Sequence, residues 1–194
     1  MTQPQRPRQV VVAYDFSPSA DHALELAIET ALYEPLHVFH LVAAIDPQHG
    51  LPIAPVSGAD YEYAELIQRK MEERLAEVLA GRDARHEIHF FVHARIGAPA
   101  PEILHLAEEV GADLVLIGSH GRKGAERLVL GSVSERVVRE ARCPVLVARA
   151  RSYVDVDLLQ VVPTDHPPHR YVKPHRYSYV DRRVLTRPHD WPLS

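Results

Sequence analysis

Short apolar runs alternate with longer amphipathic stretches over the first 150 residues of this 194-residue chain. Such alternation is typical of a parallel β-sheet whose strands are joined by crossover helices. The run from Val10 to Tyr14 lacks the polar alternation of a half-exposed strand, so it is predicted to be a buried first strand. The expected fold class is therefore α/β.

The same two periodicities predict the remaining elements. The third strand alternates Ile88, Phe90 and Val92 and is expected at an edge of the sheet. A long loop is predicted over residues 46–60, and Gly111 is predicted to close the third helix. Strands two to five are predicted over residues 37–44, 86–94, 113–118 and 144–148, and helices from Ser17-Pro18, over 63–79, from Pro99 and from Ser132. This order predicts an open five-stranded parallel sheet with helices on both faces.

The loop after the fourth predicted strand has the spacing of a phosphate-binding element. It contains Gly118 and Gly121 in a Gly-x-x-Gly pattern, then nine residues, then Gly131-Ser132. Glycines allow positive φ angles and let backbone N–H groups approach phosphate oxygens, and a helix that starts at Ser132 favours an anion. The alternative is a capping box formed by Ser132 and Glu135, which needs no ligand.

A second loop follows the first strand and contains Asp15. An acidic residue at the carboxyl end of a strand is placed to accept hydrogen bonds from a ribose or an adenine amino group. The alternative is that Asp15 only caps the helix that begins near Ser17. The chain has no G-x-G-x-x-G after its first strand and no G-x-x-x-x-G-K-[ST], so neither a dinucleotide fingerprint nor a P-loop is expected.

Composition narrows the class of protein. A net charge of −4 gives no general reason to bind nucleic acid or an anionic membrane. The single cysteine, Cys143, cannot form an internal disulfide and is predicted to be a small packing residue. We expect a cytoplasmic protein, because no signal peptide and no apolar run of roughly 20 residues is apparent.

The two loops and the strand around Leu41 together resemble the universal stress protein family. The likeness covers about residues 8–149 and includes Ala13 to Ser17, Gly118 to Gly121, and Gly131 to Glu135. It implies a Rossmann-like fold of the adenine nucleotide alpha hydrolase type, and the glycine spacing implies the ATP-binding branch of the family.

Carried over by position, the resemblance assigns adenine and ribose contacts to Ala13, Asp15, Leu41 and Ile117. It assigns phosphate contacts to Gly118, Gly121, Gly131, Ser132, Val133 and Ser134. The implied cofactor is ATP, or ADP or AMP, with Mg²⁺ or Mn²⁺ accompanying the nucleotide. A homodimer through strand 144–148 is also implied, and an apolar strand at a sheet edge agrees with this. The candidate site consists of Ala13, Tyr14, Asp15, Leu41, Ile117, Gly118, His120, Gly121, Arg122, Gly131, Ser132, Val133 and Ser134.

The function predicted from the sequence is a nucleotide-dependent stress-response or regulatory binding module with at most slow ATP hydrolysis. One alternative is a nucleotide hydrolase or phosphotransferase that uses Asp15 or His120, although no spacing specifies a catalytic set. Another is metal binding, through the tail histidines or through the third strand, for which incidental surface histidines are the favoured interpretation. The histidines concerned are His166, His169 and His175 in the tail, and His86, His89 and His93 on the strand.

Composition changes after Arg151, where proline, histidine and tyrosine become frequent. We expect a family-type domain over residues 1–150 and a C-terminal extension over residues 151–194. No strand periodicity is apparent beyond Val162, and the prolines favour an extended conformation. The many aromatic residues predict that this tail wraps over the body or over a partner subunit.

Overall fold

The computed structural model describes residues 6–33, 35–46, 61–83, 86–120, 130–150, 177–180 and 183–186. The chain divides into two units, residues 1–150 and 151–194. In the first unit, strands and helices alternate as the sequence predicts. Its elements are β1 (Arg8–Ala13), α1 (Pro18–Tyr33), β2 (His37–Ile45), α2 (Tyr61–Leu79), β3 (His89–Ile96), α3 (Pro99–Glu109), β4 (Leu114–Gly118), α4 (Ser132–Glu140) and β5 (Val145–Ala148).

The five strands form one parallel sheet in the order β3-β2-β1-β4-β5, which confirms the predicted fold class. The third strand lies at an edge, as expected, but it begins at His89 instead of His86. His86 lies before the strand, where its Nε2 is 2.7 Å from the Ala31 carbonyl oxygen. The predicted loop over residues 46–60 lies almost wholly outside the described residues.

Each face of the sheet packs against two helices, because successive residues of a strand point to opposite faces. On one face, Val10 and Val12 pack with buried residues of α1 and α2. On the other face, Val11 and Ala13 pack with residues of α3 and α4. This burial on both faces explains why β1 lacks polar alternation.

Small residues let α1 approach the sheet closely. The alanines of its apolar face, together with Leu24 and Ile28, are all buried, as the helical spacing predicts. At the end of α3, Gly111 takes a φ of 60°. The Gly111 N–H bonds to Glu108 and the Ala112 N–H to Ala107, which is a Schellman motif and confirms the predicted cap.

The second unit contains a short antiparallel pair of strands, β6 (Tyr177–Val180) and β7 (Arg183–Thr186). The expectation of no strand beyond Val162 is therefore wrong. The alternation of Tyr177, Ser178 and Tyr179 is a period-two signal that the proline content obscured. The packing of the tail against other parts of the protein stays a prediction.

None of the helices that the structure describes is both long enough and apolar enough to span a membrane.

Candidate functional site

The order of the strands reverses at β1. The chain proceeds outward from β1 to β2 and β3, then crosses back to place β4 on the other side of β1. Open parallel sheets bind ligands in the crevice beyond the carboxyl ends of the two strands at such a switch point. The loops after β1 and β4, which the sequence singles out, both start at this crevice.

Gly118 is the last residue of β4 and is buried against the start of α1. A Cβ atom at this position would lie 2.6 Å from the carbonyl carbon of Ser19 and 2.6 Å from its Oγ. Gly118 does not use the positive φ that a glycine allows, because the glycines with positive φ in the described residues are 81, 97 and 111. Gly118 is required by the close approach of two backbones, not by an unusual backbone conformation.

Helix α4 begins without a side-chain cap. Gly131 is the N-cap residue and has an extended backbone, with a φ of −63° and a ψ of 148°. The Glu135 carboxylate pairs with Arg139 at 3.2 Å instead of reaching back to the start of the helix. The capping-box interpretation is therefore wrong.

Two hydrogen bonds hold the start of α4 against the end of β4. The Gly131 N–H donates to the Ser119 carbonyl at 2.9 Å, and the buried Ser134 Oγ donates to the Gly118 carbonyl at 2.7 Å. The first intrahelical bond runs from the Glu135 N–H to Gly131. The N–H groups of Ser132, Val133 and Ser134 therefore have no acceptor within the helix. Since these N–H groups lie at the positive end of the helix dipole, they can hold an anion.

The side chain of Asp15 shapes the loop after β1. Its Oδ1 accepts a hydrogen bond from the Ser17 N–H at 3.0 Å, and Phe16 between them takes a φ of 62°. Ser17 itself caps α1, because its Oγ accepts the Ala20 N–H at 3.2 Å. The alternative in which Asp15 is the helix cap is therefore wrong.

The phenol of Tyr14 is engaged within the protein. Its hydroxyl donates to Asp21 Oδ1 at 2.7 Å, and Arg74 Nε donates to the same oxygen at 3.0 Å. Burial and the Asp21 carboxylate raise the pKa of Tyr14, so the phenol stays protonated as a donor. The Tyr14 backbone N–H is engaged as well, since it donates to the Val42 carbonyl at 2.8 Å.

The turn after β4 is fastened to the start of α1. The His120 carbonyl accepts a hydrogen bond from Ser19 Oγ and a longer one, 3.5 Å, from Ser17 Oγ. The His120 ring lies with Nδ1 3.0 Å from Ser119 Oγ. Its buried Nε2 has no hydrogen-bond partner in the part of the chain that the structure describes.

The structure brings most, not all, of the predicted site residues together. Ala13 and Ile117 are buried at or next to the carboxyl ends of β1 and β4. Ser132 is exposed at the first turn of α4, and Val133 packs against the core below it. The Leu41 side chain is instead fully buried in the core between the sheet and the helices α1 and α2. Gly121 and Arg122 lie outside the described residues.

Sequence reasoning missed two polar clusters. One is the set formed by Tyr14, Asp21 and Arg74. The other is a pair of histidines, His40 and His93, whose rings meet across β2 and β3. The available signal for the second was a histidine at position 40 within residues 38–45, which are otherwise apolar.

Among the described residues, no group of three or more His, Cys, Asp or Glu side chains converges to hold a metal ion. His86 and His93 do not share a site, and the tail histidines lie outside the described residues. Cys143 packs against the core formed with α3 and α4, as predicted. Burial raises the pKa of its thiol, so the thiolate is disfavoured.

Comparison with known proteins supports the same fold and extends to the family. The sequence model of the universal stress protein family matches residues 7–149. A universal stress protein of Methanocaldococcus jannaschii is 34% identical over 73% of this chain and 82% of its own length. One of Mycolicibacterium smegmatis is 36% identical but is covered over only 46% of its length.

Solved structures show the fold. A universal stress protein from Lactobacillus plantarum is 23% identical with a TM-score of 0.57, covering 75% of this chain and 100% of that one. Another, solved in complex with cAMP, is 24% identical with a TM-score of 0.51, covering 74% and 98%. Sequence, fold and the position of the glycine loop agree. The chain belongs to the universal stress protein family.

Proposed function

We propose that this protein is an ATP-binding module whose nucleotide occupancy is read in a cytoplasmic stress or regulatory response. The adenosine lies beyond the carboxyl end of β1 near Asp15, and the phosphates lie at the start of α4. ADP or AMP is accommodated by the same contacts, because backbone N–H groups tolerate phosphate chains of different length. Mg²⁺ or Mn²⁺ accompanies the nucleotide.

The observation that carries this proposal is the start of α4 at the switch point. The N–H groups of Ser132, Val133 and Ser134 have no acceptor within the helix and lie beside the carboxyl end of β4. This end of β4 is held by the close contact of Gly118 with Ser19 and by the hydrogen bond from the Ser134 hydroxyl to the Gly118 carbonyl. The N-cap residue of α4, Gly131, has no side chain to cap the helix, and within the described residues the positive end of α4 is left to an anion. Asp15 adds a carboxylate on the neighbouring loop, which suits a ribose hydroxyl.

A proline at position 132 tests the phosphate site. Proline is tolerated at the first helical position, and the extended backbone of Gly131 suits the residue before a proline. Ser132→Pro removes one N–H and one hydroxyl while the helix still forms. We expect the Kd for ATP, measured by isothermal titration calorimetry, to rise roughly tenfold, the change that follows from losing a charge-assisted hydrogen bond.

Two matched measurements separate this effect from damage to the fold. Ser132→Ala removes the hydroxyl alone and should weaken ATP binding less than Ser132→Pro. Adenosine, which lacks phosphates, should bind both variants as it binds the parent. If Ser132→Pro binds ATP with the parental Kd, the phosphates do not lie at this helix.

Hydrolysis is expected to be slow at most. One carboxylate oxygen of Asp15 accepts a hydrogen bond from the Ser17 N–H. In the described residues, no group of three or more His, Cys, Asp or Glu side chains converges to hold a metal ion for phosphoryl transfer. Phosphate release from Mg-ATP by purified protein measures this directly. Rapid turnover that is lost in Asp15→Ala would replace the binding module with a nucleotide hydrolase.

We propose a homodimer through the free edge of β5. Among the residues that the structure describes, this strand pairs only with β4, and its Leu146 is 42% exposed. An unpaired apolar edge is an aggregation liability that pairing with a second copy removes.

Leu146→Glu should convert the dimer to a monomer at micromolar concentration, as measured by sedimentation velocity. Leu36→Glu is the control, because Leu36 is 41% exposed but lies before β2. A parent that sediments as a monomer would contradict the proposal.

A further inference from the structure

Two imidazoles meet on the sheet face covered by α3 and α4, away from the nucleotide crevice. His40 of β2 and His93 of β3 have their Nδ1 and Nε2 atoms, respectively, 3.1 Å apart. His40 is buried at 7% exposure, while His93 is half-buried on the edge strand. Neither residue has a place in the nucleotide site.

The tautomer of His40 follows from its other partner. Gln9 Nε2 donates to the Pro7 carbonyl at 3.3 Å, which fixes the amide so that its oxygen faces His40. His40 Nε2 must therefore carry the proton and donate it to Gln9 Oε1 at 2.9 Å. The lone pair of His40 is left on Nδ1, and it points toward His93.

The charged side chains beside His93 are largely compensated by one another. Arg95 lies near His93, but its guanidinium is paired with Glu109 and, at 3.7 Å, with Glu102. These three side chains together contribute one net negative charge. The two facing nitrogens are 3.1 Å apart, so at most one of them carries a proton and at least one lone pair lies between the rings.

We propose that His40 Nδ1 and His93 Nε2 form a two-imidazole site for a divalent transition metal ion, either Zn²⁺ or Cu²⁺, with water completing the coordination. Two nitrogens each ~2.05 Å from a tetrahedral ion lie ~3.3 Å apart, which is close to the 3.1 Å observed, and each ring turns by about 35° to direct its nitrogen at the ion instead of at the other ring. On binding, His93 carries its proton on Nδ1 instead of Nε2. Gln9 is the outer partner that orients His40, as ligating histidines usually require.

Access to the pair is through the edge of the sheet. Phe91 stacks on the His40 ring with centroids 5.2 Å apart, and it is 53% exposed. A thin, partly solvated cover of this kind permits an ion and its water to enter. In the absence of metal, the His93 Nε2–H donates to His40 Nδ1.

The test uses the full-length chain with the four tail histidines, 166, 169, 175 and 189, replaced by alanine, so that they cannot compete. Titration with ZnCl₂ or CuCl₂ should give one ion per chain. His93→Ala should weaken binding tenfold or more. Gln9→Leu should weaken it by about tenfold, and Gln9→Glu should tighten it, because a carboxylate raises the basicity of the ligating ring. His89→Ala is the control, since His89 is exposed on the same strand and face.

A second readout locates the ion even if a variant folds poorly. Cu²⁺ is paramagnetic and should broaden the NMR signals of the Phe91 ring in the otherwise unaltered protein. Selective broadening near His89, with Phe91 unaffected, would overturn the proposal. The proposal would also be overturned if His93→Ala or His93→Gln bound the metal ion as tightly as the parent does. An absence of one-to-one metal binding by the parent would overturn it too.

Discussion

Gly118→Ala is expected to lower the free energy of unfolding by about 3 kcal/mol, the upper range for forcing a methyl group into a packed interior. The new Cβ would meet the carbonyl carbon and carbonyl oxygen of Ser19 at 2.6 and 2.8 Å. These are backbone atoms in the first turn of α1, so they cannot rotate away as a side chain can. Either β4 or α1 must shift.

Urea denaturation monitored by circular dichroism measures this loss. Gly111→Ala is the matched control, because Gly111 is exposed, has open space around its Cβ position and takes a φ of 60°. Its cost should be about 1 kcal/mol, which is the penalty of a left-handed backbone alone. If Gly118→Ala and Gly111→Ala lower the free energy of unfolding equally, the close-approach explanation is contradicted. Gly118→Ala protein that is still folded should also bind ATP more weakly than the parent, because the movement of β4 or α1 displaces the turn after β4.

Asp21→Ala is expected to cost about 2 kcal/mol, because it leaves the buried Tyr14 hydroxyl without its acceptor and also removes an ion pair that is about one third exposed. Asp21 accepts hydrogen bonds from both the Tyr14 hydroxyl and Arg74 Nε. Without it, the hydroxyl of a tyrosine that is only 4% exposed loses its acceptor, and Arg74 keeps only Glu77.

Comparison with Tyr14→Phe separates the two contacts. That substitution removes the hydroxyl donor without leaving it unsatisfied and should cost only about 1 kcal/mol. A double-mutant cycle between Asp21→Ala and Tyr14→Phe should then give a coupling energy of roughly 1 kcal/mol or more. A coupling near zero would show that the measured loss comes from Arg74 and not from the phenol.

The fold was predictable because its signals are local and repeat along the chain. Apolar runs such as Val10 to Tyr14 and the alanine-rich face of α1 each specify an element, and their alternation specifies a parallel sheet. The edge position of the third strand was likewise visible in its polar alternation. Its start was misplaced, because the same alternation continues through Glu87 and Ile88, ahead of the first paired residue.

The two loops that form the candidate site could be chosen from the sequence, whereas the structural reason for Gly118 could not. Glycine in a sequence indicates only that a side chain is excluded, by either conformation or space. At Gly118 the reason is the backbone of Ser19, which lies 99 positions earlier in the sequence. Long-range contacts of this kind, like those that join His40 to His93 and Asp21 to Arg74, leave no periodic pattern in the sequence.

Hydrogen bonds from the Ser17 and Ser19 hydroxyls to the His120 carbonyl join the start of α1 to the turn after β4. These two segments are distant in sequence, and the bonds between them should make them open together. Native-state hydrogen exchange occurs through cooperative units, and a unit is defined by such mutual contacts instead of by proximity in sequence. The first turn of α1 and the turn after β4 should therefore exchange their amide hydrogens with one common opening free energy. A ligand that steadies the β4 turn will slow exchange at the start of α1, although that helix need not touch it.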